Sequence, residues 1–365
     1  MTNLAELLKA QGASLDAEDD LEKINQLYFE RGWGDGLPIV PPTAQRVAQM
    51  LAYCDRPWNE PVARMAPRYG EATPLRLAAN AVMAGCRPEY FPLVTLAIEA
   101  MCEEPFNLYG IQATTHLCAP LVIVNGPVAK ELGINCGHNA FGPGTHSNAT
   151  IGRAIRLALV NIGGAIPTLG DMSTFGSPAK YTYCVAENEA ASPWQPLHVE
   201  RGFARDESTV TLFAGEAPRA VMDQASRSAR SLCESLGRAL ATVMHHKLHG
   251  FVDVVLVLSP EHVQKCVADG FGKAEIRRAV QEVTARPLRE LLPDERCAEG
   301  IPLRMLGITG EPPAAMLDMP LAKFRSDDQI TIVVAGGDAG MFSAIIGGWV
   351  AGEMGSQMVT RKIAM

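Results

Sequence analysis

Glycine, asparagine and histidine concentrate in residues 133–156, GINCGHNAFGPGTHSNATIGRAIR, the segment best suited to hold a ligand. Glycine lets the backbone approach a ligand closely, and asparagine offers both a donor and an acceptor. A helical pattern begins near Ser147, and a helix N-terminus attracts anions. We expect an anion site here, and its substrate-binding residues are Asn135, Asn139, Gly142, Gly144, Asn148 and Arg153. The alternative is a structural turn whose asparagines satisfy backbone groups.

Three cysteines are candidate nucleophiles. Cys86 lies between a helix that ends near Gly85 and another that begins at Pro88, so the second helix dipole and Arg87 favour its thiolate. Cys118 and Cys136 flank an apolar run, and His138 could serve as their base. Free cysteines are also common as inert, buried apolar residues, which is the alternative for each of them.

Other polar groups leave further chemistry open. Lys180, Glu187 and Glu189 lie within nine residues of one another and form a plausible acid–base set. In HHKLH, His245 and His249 stand at i and i+4, as a metal pair would on a helix. A metal-dependent hydrolase or hydro-lyase would use this pair or the three histidines of the first half, His116, His138 and His146. We assign no metal ligand, and the sequence names no cofactor.

Three apolar runs predict buried strands that lead into polar loops: LVIVNG (121–126), VDVVLVLSP (252–260) and ITIVVAGG (330–337). Residues 205–250 contain a long helical pattern suited to packing against a sheet. We expect an α/β fold, with a mostly helical N-terminal region (1–110) followed by an α/β region (111–365) with Gly-rich post-strand loops. If the third strand neighbours the first, Gly336 and Gly337 also bind substrate.

Composition narrows the setting. The 365 residues carry a formal net charge of −8, which argues against general nucleic-acid binding. Nine cysteines form no CxxC pair, and this usage favours a reducing cytoplasmic setting. The apolar runs are far shorter than the roughly 20 residues that cross a bilayer, and the N-terminus lacks the pattern of an export signal. We expect a cytoplasmic protein without a membrane segment.

Four motifs occur in order along the chain: GDGLPIVPPT (34–43), NAVMAGCRPEY (80–90), NATIGR (148–153) and SPW (192–194). In this the chain resembles bacterial proteins associated with the UGSC family of selenocysteine or cysteine proteins. The resemblance implies a cytosolic catabolic or redox setting, with a small thiol or selenol protein as partner. That family's own motif, selenocysteine or cysteine followed by Gly-Ser-Cys, is absent here, and the resemblance assigns no residue role.

These observations predict a cytosolic enzyme that acts on a small anionic organic substrate, as a thiol-dependent lyase, hydrolase or reductase. We also expect a homo-oligomer. One alternative is a non-catalytic subunit or ligand-binding partner of a multicomponent system. The other is the metal-dependent hydrolase or hydro-lyase.

Overall fold

A computed structural model describes residues 14–363 of the chain together with Leu4 and Glu6. About 38% of it is helix and 16% strand, which confirms the predicted α/β class. Helices α1 to α12 span Leu21–Arg31, Ala44–Leu51, Pro74–Ala84, Phe91–Met101, Leu108–Ala113, Pro127–Glu131, His146–Ala158, Leu197–Glu200, Ala229–Leu240, Pro260–Ala268, Lys273–Thr284 and Leu288–Leu291. Strands β1 to β12 span Ala63–Met65, Gly70–Ala72, Ala119–Asn125, Cys184–Ala186, Thr209–Gly215, Arg219–Met222, Val252–Leu258, Arg286–Pro287, Pro320–Leu321, Ile330–Val334, Phe342–Val350 and Val359–Lys362.

Local sequence explains the bounds of α3. The Thr73 hydroxyl accepts a hydrogen bond from the N–H of Arg76 at 3.3 Å, and Pro74 takes the first helical position. Gly85 ends the helix at φ 88°, a left-handed conformation that favours glycine. Cys86 therefore directly follows a helix end, as the sequence predicts.

The three predicted strands are present as β3, β7 and β10. The prediction of a long helix over residues 205–250 is wrong. That segment begins with β5 and β6, and its helix is limited to α9. Residues 209–215, TVTLFAG, are mostly β-branched or aromatic, and such side chains fit a pleated sheet better than a helix. The HHKLH motif follows α9 and lies in a turn, so His245 and His249 do not share a helix face.

One eight-stranded sheet forms the centre of the molecule. Its strand order is β10-β7-β11-β5-β3-β4, with β6 added to β11 and β12 added to β5. The β3/β4 and β7/β10 pairs are parallel, and the other pairs are antiparallel. Because β10 pairs with β7, it is not the sheet neighbour of β3.

The topology repeats. Strands β3, β4 and β5 form one unit, and β7, β10 and β11 form a second unit with the same pairings. The strand that follows each unit pairs with the other unit: β6 pairs with β11, and β12 pairs with β5. The molecule is thus two similar three-stranded units that exchange an edge strand.

Alternating side chains divide the core into three layers. On β3, Leu121 and Ile123 face an interior cluster, whereas Val122 and Val124 pack with the N-terminal helices. The interior cluster draws on all six central strands through Leu121, Ile123, Val185, Phe213, Val255, Val257, Val333 and Ile346. A second outer cluster covers β7, β10 and β11 with α9, α10 and α11. The sheet therefore curls around its own core.

Backbone hydrogen bonds join the two edges of the curled sheet. The N–H of Asn188, beyond β4, donates to the carbonyl of Val334 in β10 at 2.7 Å. The N–H of Gly336 donates to the carbonyl of Cys136 at 2.8 Å. The result is a barrel-like sheet with helices on the outer face of each unit.

The N-terminal region is mostly helical, but it also contains the β1–β2 hairpin. Phe91 in that region and Ile111 beyond it belong to the same hydrophobic cluster. A domain boundary near residue 110 stays a prediction, and most of residues 1–13 lie outside the described residues. Within residues 14–363, we find no helix long and apolar enough to cross a membrane.

Candidate functional site

Two cations share one buried carboxylate beside β3. The Lys180 ammonium lies 2.8 and 2.9 Å from the two oxygens of Asp171, and the Arg156 guanidinium lies 3.0 Å from Oδ2. The exposed fractions of these side chains are only 5% for Asp171, 11% for Lys180 and 12% for Arg156. The group carries two positive charges and one negative charge, so it favours an additional anion.

The elements that carry these groups are irregular. Arg156 is on α7, and the next turn, Leu159–Gly163, is π-helical. Asp171 follows in a tight turn, in which the Asp171 N–H donates a hydrogen bond to the carbonyl of Ile166 at 3.0 Å. Within that turn Thr168 has φ 70°, which is rare for a β-branched residue. π-Helical turns and strained backbone recur at functional sites, so the two features support a site here.

A small cavity of about 20 Å³ adjoins the two cations. We call it the Arg156–Lys180 pocket, and the side chains that line it include Gln112, Cys118, Arg156, Lys180 and Tyr183. Gln112 is 1% exposed, and its Oε1 has no hydrogen-bond partner among the described residues. A cavity of this size holds about one water molecule. An unpaired buried amide oxygen beside such a space indicates a site for a small polar ligand or water.

A histidine–glutamate pair lies next to the pocket. His116 Nε2 and Glu216 Oε1 are 2.9 Å apart, and the Tyr183 hydroxyl donates to the Glu216 carbonyl at 2.7 Å. His116 Nδ1 is buried without a partner among residues 14–363. A carboxylate that accepts from Nε2 leaves Nδ1 as the basic nitrogen, which is the arrangement of a general base.

Charge and burial act differently on Asp171 and Cys118. Burial raises the pKa of Asp171, but the hydrogen bond and charge of Lys180, with the charge of Arg156, outweigh it and hold the pKa below its ordinary value. Burial raises the pKa of Cys118 to about 12, and the charge of Lys180 only partly opposes it. Asp171 is therefore an anion at neutral pH, whereas Cys118 is a neutral thiol.

A groove of about 640 Å³ between α4 and β12 is roomier. Its charged side chains are already paired with one another or with a neighbour, in Arg56–Glu99, Arg361–Glu103 and Lys362–Glu207. In each pair the basic partner is about half exposed, and such pairs are screened by water. We therefore take the smaller pocket, where Arg156, Lys180 and Asp171 are buried, as the candidate site.

Glu187 and Glu189 lie apart from Lys180. Glu187 is buried, and its Oε2 accepts from Asn125 Nδ2 and from the N–H of Leu197, both at 2.7 Å. Lys273 Nζ lies 3.8 Å from its Oε1. Burial raises the pKa of Glu187, and Lys273, Leu197 and Asn125 lower it in part. This cluster braces β3, β4, α8 and α11, so the predicted set of Lys180, Glu187 and Glu189 is not brought together.

The asparagines of the Gly-rich loop hold the loop itself. Helix α7 begins at His146, so Asn148 lies in its first turn. The Asn148 amide contacts the backbone of Asn135, Ala140 and Cys184. Asn135 Nδ2 donates to the carbonyl of His138 at 2.9 Å, and Asn139 Nδ2 donates to the carbonyl of Pro143. These contacts match the structural-turn alternative.

The glycines of this loop contact a second Gly-rich loop. A Cβ at Gly337 would lie 2.1 Å from the His138 ring, so the absence of a side chain there allows the two loops to meet. His138 Nε2 lies 2.9 Å from Asp338 Oδ1, and both side chains are mostly exposed. Gly142 lies against Asn139, whereas Gly144 and Gly336 have positive φ and open space around them. The two loops are in contact although β3 and β10 are not neighbours, and substrate binding by Gly336 and Gly337 stays a prediction.

Arg153 does not face a free anion site. Its guanidinium makes two hydrogen bonds to Asp35, at 2.7 and 2.9 Å, and donates to the carbonyls of Leu37 and Pro38. It therefore fixes the GDGLPIVPPT turn on α7. Arg156, one helical turn later, is the arginine that reaches the pocket.

The other two cysteine candidates are also neutral thiols. The Cys86 thiol donates to the carbonyl of Thr150 at 3.2 Å, and burial raises its pKa to about 12. Burial also raises the pKa of Cys136. Desolvation exceeds the helix-dipole effect on which the nucleophile prediction for Cys86 rests. A catalytic role for Cys86, Cys118 or Cys136 stays a prediction that this geometry does not support.

Sequence reasoning missed Gln112, Asp171 and Glu216 as site residues. Asp171 stands nine residues before Lys180 in a polar loop, and Glu216 directly follows β5. Neither spacing is diagnostic, because the pocket assembles through contacts over long sequence separations. No protein-family model matches the chain, and no curated protein or solved structure shows significant similarity to it. The assignment of the site therefore depends on its geometry.

Proposed function

We propose that the protein acts on a small organic anion, which binds in the Arg156–Lys180 pocket. The observation that carries the proposal is the buried carboxylate of Asp171 between two cations. A substrate carboxylate has the same shape and charge as this side chain, so it can bind Arg156 and Lys180 in the same way. The ligand carboxylate would then take the place of the Asp171 carboxylate between the two cations, or bind beside it.

The size of the pocket sets a condition on this binding. A cavity of about 20 Å³ admits a water molecule and not an organic anion. The turn that carries Asp171 must therefore shift when the anion enters. The strained Thr168 and the π-helical turn before it support such a shift, because both are locally unfavourable backbone states.

Acid–base chemistry suits the neighbouring residues best. With Nε2 held by Glu216, His116 offers Nδ1 to take a proton from a bound substrate. Lys180 can donate to a developing negative charge while Arg156 keeps the carboxylate in place. A proton abstraction next to a carboxylate, as in a lyase, is the reaction class we propose. The neutral Cys118 at the wall does not favour a thiolate mechanism.

Binding of acetate, oxalate and malonate to the full-length protein by isothermal titration calorimetry tests this proposal. We expect Lys180→Met to weaken binding by about 10-fold or more, because a charge-assisted hydrogen bond contributes roughly 1.5–3 kcal/mol. Lys180→Arg should restore part of it. Lys130→Met, at an exposed lysine, is the matched control. Equal binding by wild type and Lys180→Met would overturn the proposal.

A second candidate, a ligand-binding subunit, is favoured by apolar side chains in the Asp171 loop and just after it. Phe175 is 88% exposed and Leu169 is 66% exposed, and the neighbouring exposed apolar residues are Met172 and Tyr181. Such clusters often contact a partner. The resemblance to UGSC-associated proteins would make a small thiol or selenol protein the partner. Anion binding without turnover until that partner is added would support this candidate.

The remaining expectations concern the setting. All nine cysteines are free thiols, which supports a reducing compartment such as the cytoplasm. The net charge of −8 supports a partner other than nucleic acid. A homo-oligomer stays a prediction that sedimentation would test.

A further inference from the structure

Two histidines and a cysteine meet far from the Arg156–Lys180 pocket in sequence. The ligand atoms of His245, His246 and Cys297 all lie within 4.8 Å of one another. His245 and His246 are in the turn after α9, and Cys297 is in the loop after α12. The sequence predicted a pair of His245 and His249, but His249 is buried and hydrogen-bonds to the carbonyls of Leu321 and His246.

The spacing of His245 and Cys297 fits zinc. His245 Nε2 and Cys297 Sγ are 3.7 Å apart. A tetrahedral zinc ion with its usual bonds to nitrogen and sulfur holds such a pair about 3.6 Å apart. The two imidazole rings lie side by side, with centroids 4.4 Å apart. Imidazole and thiolate are the ligand types that Zn²⁺ prefers over Mg²⁺ or Ca²⁺.

Two lysines fix the backbone of the ligands. Lys323 is buried, and its ammonium donates to the carbonyls of Val243, His245 and Leu248 at 2.6–2.8 Å. Lys247 donates in the same way to the carbonyl of Cys297 and to Asp294. The turn and the loop are therefore held together before any ion binds, which lowers the cost of ordering the site.

The site also has a cost. The Lys247 N–H lies 3.2 Å from His245 Nδ1 and donates to it. A metal ion on Nε2 places the imidazole proton on Nδ1, so this long contact is lost. Asp294 pairs with the Lys247 ammonium at 2.8 Å and limits the repulsion of that charge on an incoming cation.

We propose that His245, His246 and Cys297 bind one Zn²⁺ ion, with solvent as the fourth ligand. His246 is exposed, which leaves a side of the ion open to water. The ion would clamp the loop over residues 292–301 to the turn over residues 243–249. Leu291 and Ile301 in that part of the chain form a small hydrophobic cluster with Leu288, separate from the main cores. A metal clamp would stabilise this outlying segment, and the proposal is independent of the anion pocket.

Cobalt substitution tests the site. Metal-free, full-length protein is titrated with Co²⁺ under reducing conditions, and the thiolate-to-cobalt absorption band is recorded. We expect one Co²⁺ per chain with this band, and its displacement by Zn²⁺. His246→Ala, at an exposed residue, should lower the affinity for Co²⁺ by more than about 100-fold, because even changes outside the ligand set cost 10–100-fold. Cys297→Ser should abolish the band.

The controls are Cys54→Ser and His138→Ala, which remove a half-buried thiol and an exposed imidazole elsewhere. Both should bind Co²⁺ as the wild type does. A band that survives in Cys297→Ser, or that disappears in Cys54→Ser, would place the metal elsewhere and overturn the proposal. Absence of any Co²⁺ or Zn²⁺ binding to the wild type would also overturn the proposal.

Discussion

At the scale of single residues, Asp171 is the group that gives the pocket its character. A buried carboxylate between Arg156 and Lys180 keeps two cations from being left unpaired in a place with little water. The same two cations are the groups that recognise carboxylates in proteins. Asp171 therefore stabilises the free protein and also marks the position that an anionic ligand would take.

The cysteines show what single-residue reasoning from sequence misses. Cys86 does lie between the end of α3 and a 3₁₀ turn that begins at Pro88 and leads into α4, close to the predicted position. Burial of its sulfur was not visible in the sequence, because it depends on α7, which supplies the carbonyl of Thr150. The local sequence predicts a lowered pKa for Cys86, but desolvation by an element distant in sequence raises it.

Asp253 on β7 makes the stability of the fold depend on pH. Burial raises its pKa to about 6, against the lowering effects of Gln329 and Arg325. At pH 4 the carboxyl is protonated in the folded state and about half protonated in the unfolded state, where its pKa is about 3.9. As pH rises through 6, folding must bury a charge, so stability is lost. We expect Asp253→Asn to raise the free energy of unfolding by about 2 kcal/mol at pH 8 and by far less at pH 4.

Urea unfolding at the two pH values measures this difference. Asp328→Asn, at an exposed carboxylate, is the matched control and should change little at either pH. An equal gain for Asp253→Asn at pH 4 and pH 8 would show that the effect does not come from the buried charge.

At the scale of elements, the approach of α7 to β4 positions the pocket. Gly152 on α7 lies so close to the start of β4 that a Cβ there would be 2.3 Å from Thr182 Oγ1 and 2.4 Å from the N–H nitrogen of Tyr183. Arg156, one turn later on the same helix, reaches Asp171 as a result. The missing side chain at residue 152 thus sets the distance between the helix and the pocket wall.

Gly152→Ala separates two opposing effects. Helix propensity alone would favour alanine by about 1 kcal/mol. The clash with Thr182 and Tyr183 should outweigh it and lower the free energy of unfolding by about 1–3 kcal/mol, with weaker anion binding. Chemical denaturation measures the first effect and calorimetry the second. Gly34→Ala, where a Cβ would meet only the Gly36 nitrogen, at 4.0 Å, is the control. A stabilised Gly152→Ala variant would contradict this account of the helix.

The elements themselves were predictable where one local pattern dominates. The apolar, β-branched runs became β3, β7 and β10, because short runs rich in Val and Ile favour strands that are buried on both faces. The segment over residues 205–250 was not, because its β-branched start and its Ala- and Leu-rich middle belong to different elements. The HHKLH turn was mistaken for a helix end, and the Cys297 partner of His245 lies 52 positions away.

At the scale of the whole molecule, two similar units exchange β6 and β12 around one interior cluster. The Arg156–Lys180 pocket lies beside the first unit, between α7 and the starts of β3 and β4, and Glu216 follows the end of β5. The N–H of Glu216 donates to the carbonyl of Gly347 in β11 at 2.8 Å, so the second unit also fixes this end of the pocket. The proposed zinc site lies in the second half of the chain.

This arrangement explains why the site could not be predicted. The sequence contains every residue of the site, but Gln112, Asp171 and Glu216 come together only when β4 and β5 pair on either side of β3. The sequence instead predicts an anion site in the Gly-rich loop, because glycine and asparagine are common both in ligand loops and in tight turns. Its asparagines satisfy their own backbone, and only the packed structure distinguishes the two roles.

The affinity of Asp171→Asn for malonate, measured by isothermal titration calorimetry at pH 7.5, tests the central claim most directly. If Asp171 occupies the position of a ligand carboxylate, removal of its charge should strengthen binding by about 10-fold or more, because a nearby like charge is lost. Circular dichroism checks that the variant is folded. Unchanged or weaker binding by a folded Asp171→Asn would contradict the claim that Arg156 and Lys180 form an anion site.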